Sequence, residues 1–266
     1  MRRALVMGVL NVTPDSFSDG GRWFDPEAAV AHGLALVAEG ADVVDVGGES
    51  TRPGAEAVGD AEEIRRVVPV IEALAPHVRV SVDTRHAAVA EAALAAGATL
   101  LNDVSASLHR VAAAAGPGIG YVAMHMRGQP GTMQDDPRYD DVVAEVLAFL
   151  VDRATAARDA GVEEVWIDPG IGFGKTIDHN LSLLRHLARF VATGLPVAVG
   201  TSRKRFLGTI LAASDGISDV PAHDRLAGSV ASATWAMWQG AKMVRAHDVR
   251  ATVAAAELVA LELEDR

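Results

Sequence analysis

Cysteine is absent from the 266 residues of this chain, which excludes disulfide bonds, thiolate metal ligands and a catalytic thiol. No apolar run approaches the roughly eighteen residues that a membrane-spanning helix needs, so we expect no membrane association. No charged and then apolar leader precedes the first predicted strand, which indicates a cytoplasmic protein. The net charge of −11 leaves no basic face for nucleic acid, although a local basic cluster could still bind a small anion.

Half of the residues are apolar and 22% are charged, as in a packed globular protein. Short segments rich in valine, leucine and isoleucine predict eight strands, at Ala4–Leu10, Asp42–Val46, Val78–Val82, Thr99–Leu101, Gly120–Met124, Val165–Ile167, Pro196–Val199 and Lys242–Val244. Amphipathic stretches between them predict helices, which include Pro26–Glu39, Glu62–Ala75, Ala87–Ala96, Val142–Ala160, Asn180–Val191, Ala222–Gln239 and Val249–Leu263. Eight alternating units form either a doubly wound open sheet or a closed barrel.

Polar or glycine-rich residues follow seven of the eight predicted strands. An open sheet would concentrate its ligand contacts at one switch point, whereas a barrel collects them from the whole ring at its C-terminal mouth. The spread of these residues therefore favours an α/β protein with a (β/α)₈ TIM barrel. No linker or change in composition suggests a second domain, so we expect residues 1–266 to form one domain.

Asp83, Asn102 and Asp168 each follow an apolar strand. A carboxylate at a barrel mouth is costly to desolvate unless a group donates a hydrogen bond to it. Carboxylate and amide oxygens suit the edge of a nitrogen heterocycle with adjacent N–H donors. Each residue could instead cap a helix, and Asp83-Thr84 suits that role, but the three together favour a ligand site.

The loops after the first, second and sixth strands have compositions that suit ligand binding. Asn11–Gly21 is long and polar and holds Phe17, and Gly47–Gly54 offers donors at Thr51 and Arg52, although both could be simple turns. Asp168–Thr176 is not a phosphate loop, because Pro169 stands where that motif needs glycine. Its glycines would bring the backbone against a flat ligand, while Lys175 and Thr176 could simply begin the next helix.

The one dense basic cluster, Gly200–Arg205, follows the seventh strand, and Arg245 and His247 follow the eighth. Barrels frequently bind phosphate at these two loops. The cluster could be a solvated start of a helix, but its three cations would oppose the positive end of that helix dipole without an anion. We therefore predict a phosphate site between these loops.

Eight segments, taken in order, resemble the dihydropteroate synthase family of pterin-binding enzymes. They are Asn11–Gly21, Gly47–Gly54, Ser81–Thr84, Asn102–Val104, Met124–Met126, Asp168–Lys175, Ser202–Gly208 and Arg245–Val249. The resemblance implies a transferase that joins 6-hydroxymethyl-7,8-dihydropterin pyrophosphate to p-aminobenzoate. Its products would be 7,8-dihydropteroate and pyrophosphate, in folate biosynthesis.

The resemblance also implies roles for individual residues. The pterin would be held by Asp83, Asn102, Met124, Asp168, Gly200 and Lys204. Pyrophosphate would be held by Asn11, Thr51, Arg52, Arg245 and His247, with Asn11 as the expected ligand of a Mg²⁺ cofactor. The p-aminobenzoate pocket would be formed by Phe17, Thr51, Pro53, Phe173, Ser202 and Lys204. Catalysis would involve Asp19, Arg52 and Lys204, with Asp19 stabilising positive charge that develops on the pterin.

This chemistry requires no strong general base, because an aromatic amine is already neutral at physiological pH. The absence of an obvious Ser–His or His–Asp pair is therefore expected, and positioning and electrostatics would supply most of the catalysis. Two alternatives are a pterin-binding paralogue that performs no condensation and a methyl-transferring pterin enzyme. The family is typically homodimeric, so the apolar last helices could form an interface, and sulfonamides should compete with p-aminobenzoate.

Overall fold

The computed structural model describes residues 3–13, 25–49, 58–218 and 220–264. Eight strands are present: β1 (Leu5–Asn11), β2 (Val43–Gly47), β3 (Arg79–Thr84), β4 (Leu100–Asp103), β5 (Gly120–Met124), β6 (Glu164–Asp168), β7 (Ala198–Gly200) and β8 (Met243–Ala246). The helices are α1 (Pro26–Ala38), α2 (Asp60–Leu74), α3 (Ala87–Ala95), α4 (His109–Ala114), α5 (Val142–Asp159), α6 (Ile177–Arg185), α7 (Leu187–Val191), α8 (Arg205–Asp215), α9 (Leu226–Trp238) and α10 (Val249–Glu264). Among these helices, none is long and apolar enough to cross a membrane.

All strand pairs are parallel, and the strands follow the order β6-β5-β4-β3-β2-β1-β8-β7. The two outer strands of that order meet through a parallel bridge between Ile167 and Val197, and the Ile167 N–H donates to the Pro196 carbonyl at 3.1 Å. The sheet is therefore a closed ring, and the predicted TIM barrel is confirmed.

The local signals in the sequence place most element boundaries within two residues. Asp25 caps α1 by accepting from the backbone N–H groups of Glu27 and Ala28. The glycines at 40, 97 and 161 end helices with positive φ angles of 101°, 111° and 100°, as a helix C-terminus favours. The predicted helix Asn180–Val191 is instead two helices, α6 and α7, separated at His186.

The inside of the barrel has three levels along its axis. At the N-terminal end Arg79 forms a bidentate ion pair with Glu164, which also accepts from the Trp166 indole at 2.7 Å. Buried apolar side chains fill the middle, at Met7, Val43, Leu100, Val122, Trp166, Ala198 and Met243. The third level, at the C-terminal end of the strands, is polar and charged, and it is the candidate site.

Candidate active site

The pairing register places the predicted ligand-binding residues at one end of the barrel. Asn11 pairs with Gly47, Gly47 with Asp83, and Asp83 with Asn102 in four successive strands. Across the ring, Met124 pairs with Asp168 and Gly200 with Arg245. Because all the strands are parallel, these positions lie together at the C-terminal mouth, as the sequence predicted.

Arg245 joins two carboxylates at the centre of this mouth. Its Nε lies 2.5 Å from Asp45 Oδ2, and its Nη2 lies 2.8 Å from Asp83 Oδ2. The Asn102 amide donates to the same Asp45 oxygen at 3.1 Å. Sequence reasoning missed Asp45, although an acid inside the apolar segment Val43–Gly47 was the available signal, since a fully buried carboxylate needs partners.

The two carboxylates share one cation, so their hydrogen-bonding capacity is only partly used. Within the described part of the chain, Asp45 Oδ1 and Asp83 Oδ1 are buried without a hydrogen-bond partner. Burial raises the pKa of Asp83 to about 7 against the opposing effect of Arg245, and the neighbouring Asp45 adds to the rise. The site therefore presents a carboxyl oxygen that can accept from N–H groups of a ligand.

Asp168 lies on the other side of the mouth and is held by the loop that follows it. Its Oδ1 accepts from the Gly170 N–H at 2.7 Å, and burial raises the pKa of its carboxyl. Gly170 has a φ of 64°, and a Cβ there would lie 1.8 Å from the His125 carbonyl oxygen. Only glycine allows this close approach, which fixes the loop beside Asp168.

Lys204 extends across the same loop. Its ammonium lies 4.6 Å from the centroid of the Phe173 ring and donates to the Ile171 carbonyl. Burial lowers the pKa of Lys204 to about 8, while the charge of Asp168 acts in the opposite direction. The structure thus brings Lys204, Phe173 and Asp168 together, as predicted, and Gly200 lies close enough that a Cβ there would be 3.8 Å from the Lys204 ammonium.

Lys175 has a role that the sequence did not reveal. It is only 3% exposed, and its ammonium contacts the carbonyl oxygens of His125, Gly170 and Phe173 at 2.9 to 3.3 Å and the His125 Nδ1 at 2.9 Å. Thr176 caps α6, so the alternative that these two residues begin a helix is correct for Thr176 alone. Lys175 instead ties the end of β5 to the loop that carries Phe173.

The loops after β7 and β8 are joined by side-chain contacts. Ser202 Oγ accepts from the His247 N–H at 3.1 Å and lies 3.0 Å from the His247 Nδ1. Arg203 pairs with Asp248, with a shortest distance of 2.5 Å, so its charge is matched within the protein. Lys204 takes the N-cap position of α8, and Arg205, the next residue, is exposed.

Five predicted site residues lie outside the described residues. They are Phe17, Asp19, Thr51, Arg52 and Pro53. The described members of the predicted set all lie at the barrel mouth or in the loops that surround it. They form two groups, one around Arg245 with Asp83 and Asn102, and one around Lys204 with Asp168 and Phe173.

A closed barrel with a buried carboxylate–amide group and adjacent cations at its mouth fits the class of barrel enzymes that bind a flat heterocycle. The sequence model of the family described as "Pterin binding enzyme" matches residues 7–247, and the chain belongs to this family.

Among the curated relatives, the dihydropteroate synthase of Mycobacterium leprae is 51% identical, covering 96% of this chain and 92% of the relative. The structure of the Xanthomonas albilineans dihydropteroate synthase with 4-aminobenzoic acid superimposes with a TM-score of 0.88 at 48% identity, covering 98% of this chain and 93% of that one. A sulfonamide complex of the Yersinia pestis enzyme gives a TM-score of 0.89 at 42% identity, with coverages of 99% and 95%.

Proposed function

We propose that the protein catalyses the dihydropteroate synthase reaction. It joins 6-hydroxymethyl-7,8-dihydropterin pyrophosphate to p-aminobenzoate and releases 7,8-dihydropteroate and pyrophosphate, a step of folate biosynthesis. One observation carries the proposal: the buried acceptors of Asn102 and Asp168 and the partly exposed carboxyl of Asp83 lie at the same mouth as Lys204 and Arg245, in a barrel that belongs to the pterin-binding family. A pterin presents adjacent N–H donors and ring acceptors, and this set of residues complements both.

In the pterin subsite, Asp83 and Asn102 accept and donate along one edge of the ring, and Asp168 accepts from the opposite side of the pocket. Lys204 donates to a ring acceptor and remains close to Asp168. Met124, which is 4% exposed, provides an apolar surface, and Gly200 leaves room for the flat ring. The unpartnered Asp83 Oδ1 is satisfied when the pterin binds, which contributes to specificity.

In the pyrophosphate subsite, Arg245 and His247 bind the leaving group, and the proposal assigns Thr51 and Arg52, which lie outside the described residues, to the same subsite. Asn11 fits a Mg²⁺ ion, because it ends β1 at the mouth and offers a neutral amide oxygen there. One neutral oxygen suits a cation that keeps several waters and takes its other ligands from phosphate. When bound, Mg²⁺ would neutralise charge on the pyrophosphate oxygens.

In the p-aminobenzoate subsite, Phe173 and the aliphatic part of Lys204 form one wall, and Ser202 adds a donor. Phe17, Thr51 and Pro53 complete this subsite in the proposal, and Asp19 stabilises positive charge that develops on the pterin. Sulfonamides are planar para-substituted anilines like p-aminobenzoate, so they compete for the same subsite.

The reaction forms one C–N bond and breaks one C–O bond. The lone pair of the arylamine attacks the methylene carbon of the pterin, the C–O electron pair leaves with pyrophosphate, and the amine then loses a proton. Cations at the leaving group stabilise its developing charge, and the carboxylates around the ring stabilise the electron-poor carbon. The remaining contribution comes from holding the two substrates in line.

A pterin-binding paralogue without condensing activity is not favoured. Relatives such as those of Mycobacterium leprae and Escherichia coli, which match 96% of this chain, are dihydropteroate synthases. The Ser202–Lys204 segment, which a methyl-transferring pterin enzyme should lack, is present and contacts Ile171 and His247. The long first loop and the Gly47–Gly54 segment are also present in the sequence.

We also propose that the enzyme is a cytoplasmic homodimer that uses its last two helices as the interface. Trp235 is 48% exposed, Leu258 60% and Leu261 64%, which leaves large apolar side chains on α9 and α10 at the surface. Met237 is buried, so it packs on the barrel and does not contribute. Sedimentation equilibrium should give twice the monomer mass, and Trp235→Glu should give the monomer.

The function is tested by incubating the protein with the pterin pyrophosphate, p-aminobenzoate and Mg²⁺ and measuring dihydropteroate and pyrophosphate. We expect both products in the wild type and at least ~100-fold lower turnover in Lys204→Ala and Asp168→Ala. Lys242→Ala and Asp215→Ala are matched controls, because both side chains are exposed and lie outside the mouth. No product from the wild type would reject the function, and full activity in both site variants would reject the residue assignment.

A further inference from the structure

A second cluster of metal-ligating side chains lies outside the site described above. Glu49 follows β2, Glu63 lies in the first turns of α2, and His86 follows β3. One ligand atom from each residue lies within 4.8 Å of the other two. In the described part of the chain this is the one group of three acidic or histidine side chains that converges in this way.

Glu63 is fully buried and faces this cluster. Neither of its carboxyl oxygens has a hydrogen-bond partner among the described residues. Burial raises the pKa of Glu63 to about 7, with a weaker effect in the opposite direction from the Thr84 side chain and further increases from Glu49 and Asp83. A fully buried carboxylate that has at most the Thr84 hydroxyl as a hydrogen-bond donor among the described residues is costly, so the position suits a cation or a proton.

The neighbours of His86 leave its second ring nitrogen available as a ligand. Its Nδ1 lies 3.2 Å from Asp60 Oδ1, and its Nε2 lies 3.4 Å from Glu49 Oε2. When Nδ1 donates to Asp60, the Nε2 lone pair faces the carboxylates. Nε2 is buried and meets no hydrogen-bond donor within the described ranges. A carboxylate that orients the far nitrogen of a histidine is the common arrangement behind a metal ligand.

We propose that Glu49, Glu63 and His86 bind one Zn²⁺ ion, with Asp60 orienting the imidazole of His86. A set of one imidazole and two carboxylates suits Zn²⁺, and a water would provide the fourth ligand. The charges balance: Glu49, Glu63 and Asp60 contribute −3, while Zn²⁺ and Arg85, which pairs with Glu49 at 3.1 Å, contribute +3. The ion ties the end of β2 to α2 and to the turn after β3.

This site differs from the proposed Mg²⁺ position in both its residues and its chemistry. Asn11 offers one neutral oxygen at the mouth, whereas the cluster offers nitrogen and two carboxylates behind the end of β2. The Zn²⁺ proposal does not depend on the proposed function. The competing explanation is a proton instead of a metal, with Glu63 neutral.

The test is Zn²⁺ binding to chelator-treated protein, measured by isothermal titration calorimetry in the absence of substrates. We expect one tight site in the wild type and at least ~10-fold weaker binding in Glu63→Gln and His86→Gln, since each variant removes one ligand. Glu72→Gln, also on α2, and His223→Gln are exposed matched controls and should bind as the wild type does. Asn11→Ala should also retain the site.

Two further measurements show whether the Zn²⁺ that binds is located at this cluster. Zn²⁺ should raise the melting temperature of the wild type but not of Glu63→Gln, which loses a buried charge and should fold. Anomalous scattering at the zinc edge should place the ion among the three side chains. Absence of a tight site in the wild type, binding in both ligand variants as tight as in the wild type, or an ion located elsewhere would each overturn the proposal.

Discussion

Both ends of the barrel contain an arginine paired with carboxylates, but the two groups differ in how completely their oxygens are hydrogen-bonded. At the N-terminal end Glu164 accepts from Arg79 at 2.9 and 2.7 Å and from Trp166 at 2.7 Å, so its oxygens are well matched. At the C-terminal end Asp45 and Asp83 share one arginine, and each retains a buried oxygen without a partner in the described part of the chain. The first arrangement is complete within the protein, whereas the second is completed by a ligand.

The pKa shifts express the same contrast. Partial burial acts to raise the pKa of Glu164, but the hydrogen bonds from Arg79 and Trp166 outweigh it and the net shift is downward. The pKa of Asp83 is instead raised to about 7, since burial outweighs its arginine. Unsatisfied buried groups are expected where function opposes stability. The C-terminal end thus gives up some stability to keep acceptors available.

The largest effect is expected from removing the shared cation. Arg245→Leu leaves Asp45 and Asp83 together at the mouth without the cation that bonds to both, which should lower the free energy of unfolding by about 3–5 kcal/mol. Urea denaturation measures the change. The double variant Arg245→Leu/Asp45→Asn should recover part of the loss, because it removes one of the two charges. A single variant as stable as the wild type would show that the cluster is not held by Arg245.

The sequence predicted the barrel and most of the mouth, because both depend on local patterns. Short apolar segments that run into polar residues identify strands and their C-terminal ends, so Asp83, Asn102 and Asp168 were found. Asp45 was missed because it lies two residues before the end of its strand, among valines. Its role appears only through Arg245, which is 200 positions away in the chain.

Lys175 is a second residue whose contacts could not be predicted from the sequence. A lysine at the start of a helix is normally solvated, and nothing near position 175 indicates that its ammonium meets three carbonyl oxygens. Its partner His125 is 50 residues away, in a segment where the sequence suggested ligand contacts only from Met124. Contacts between distant loops depend on ring closure, which no local pattern describes.

The next largest effect is expected at Asp83, whose Oδ1 accepts no hydrogen bond within the described part of the chain. Asp83→Asn replaces one acceptor by a donor, so kcat/KM should fall by about 100-fold, or ~2.7 kcal/mol of transition-state stabilisation. Stability should not fall, because the variant removes a raised-pKa carboxyl from the neighbourhood of Asp45. Steady-state kinetics and urea denaturation measure the two effects. Loss of stability with unchanged kinetics would reverse the contrast between the two ends.

The pKa of Asp83 is raised and that of Glu164 is lowered, so the two residues should make stability depend on pH in opposite directions. The folded-state pKa of Asp83 is raised, so its stabilising contribution is complete below its unfolded value near ~4 and is lost as pH rises through about 7. The stability of the wild type relative to Asp83→Asn should therefore decrease between these values, because the raised pKa already includes the opposing effect of Arg245. Denaturation curves at several pH values test this, and a relative stability that rises with pH would contradict it.

The smallest effect is expected at the N-terminal end. The Arg79 and Glu164 side chains are 29% and 37% exposed, so solvent screens the pair, and Glu164→Gln should cost no more than ~1 kcal/mol of unfolding free energy. The pKa of Glu164 is lowered, so its contribution is present above its unfolded value and is lost as pH falls through the folded value, opposite to Asp83. Activity should be unchanged because the apolar middle level separates this end from the mouth. A kcat/KM that fell as far in Glu164→Gln as in Asp83→Asn would show that the two ends are coupled, and the division of the barrel into a stabilising end and a functional end would then be wrong.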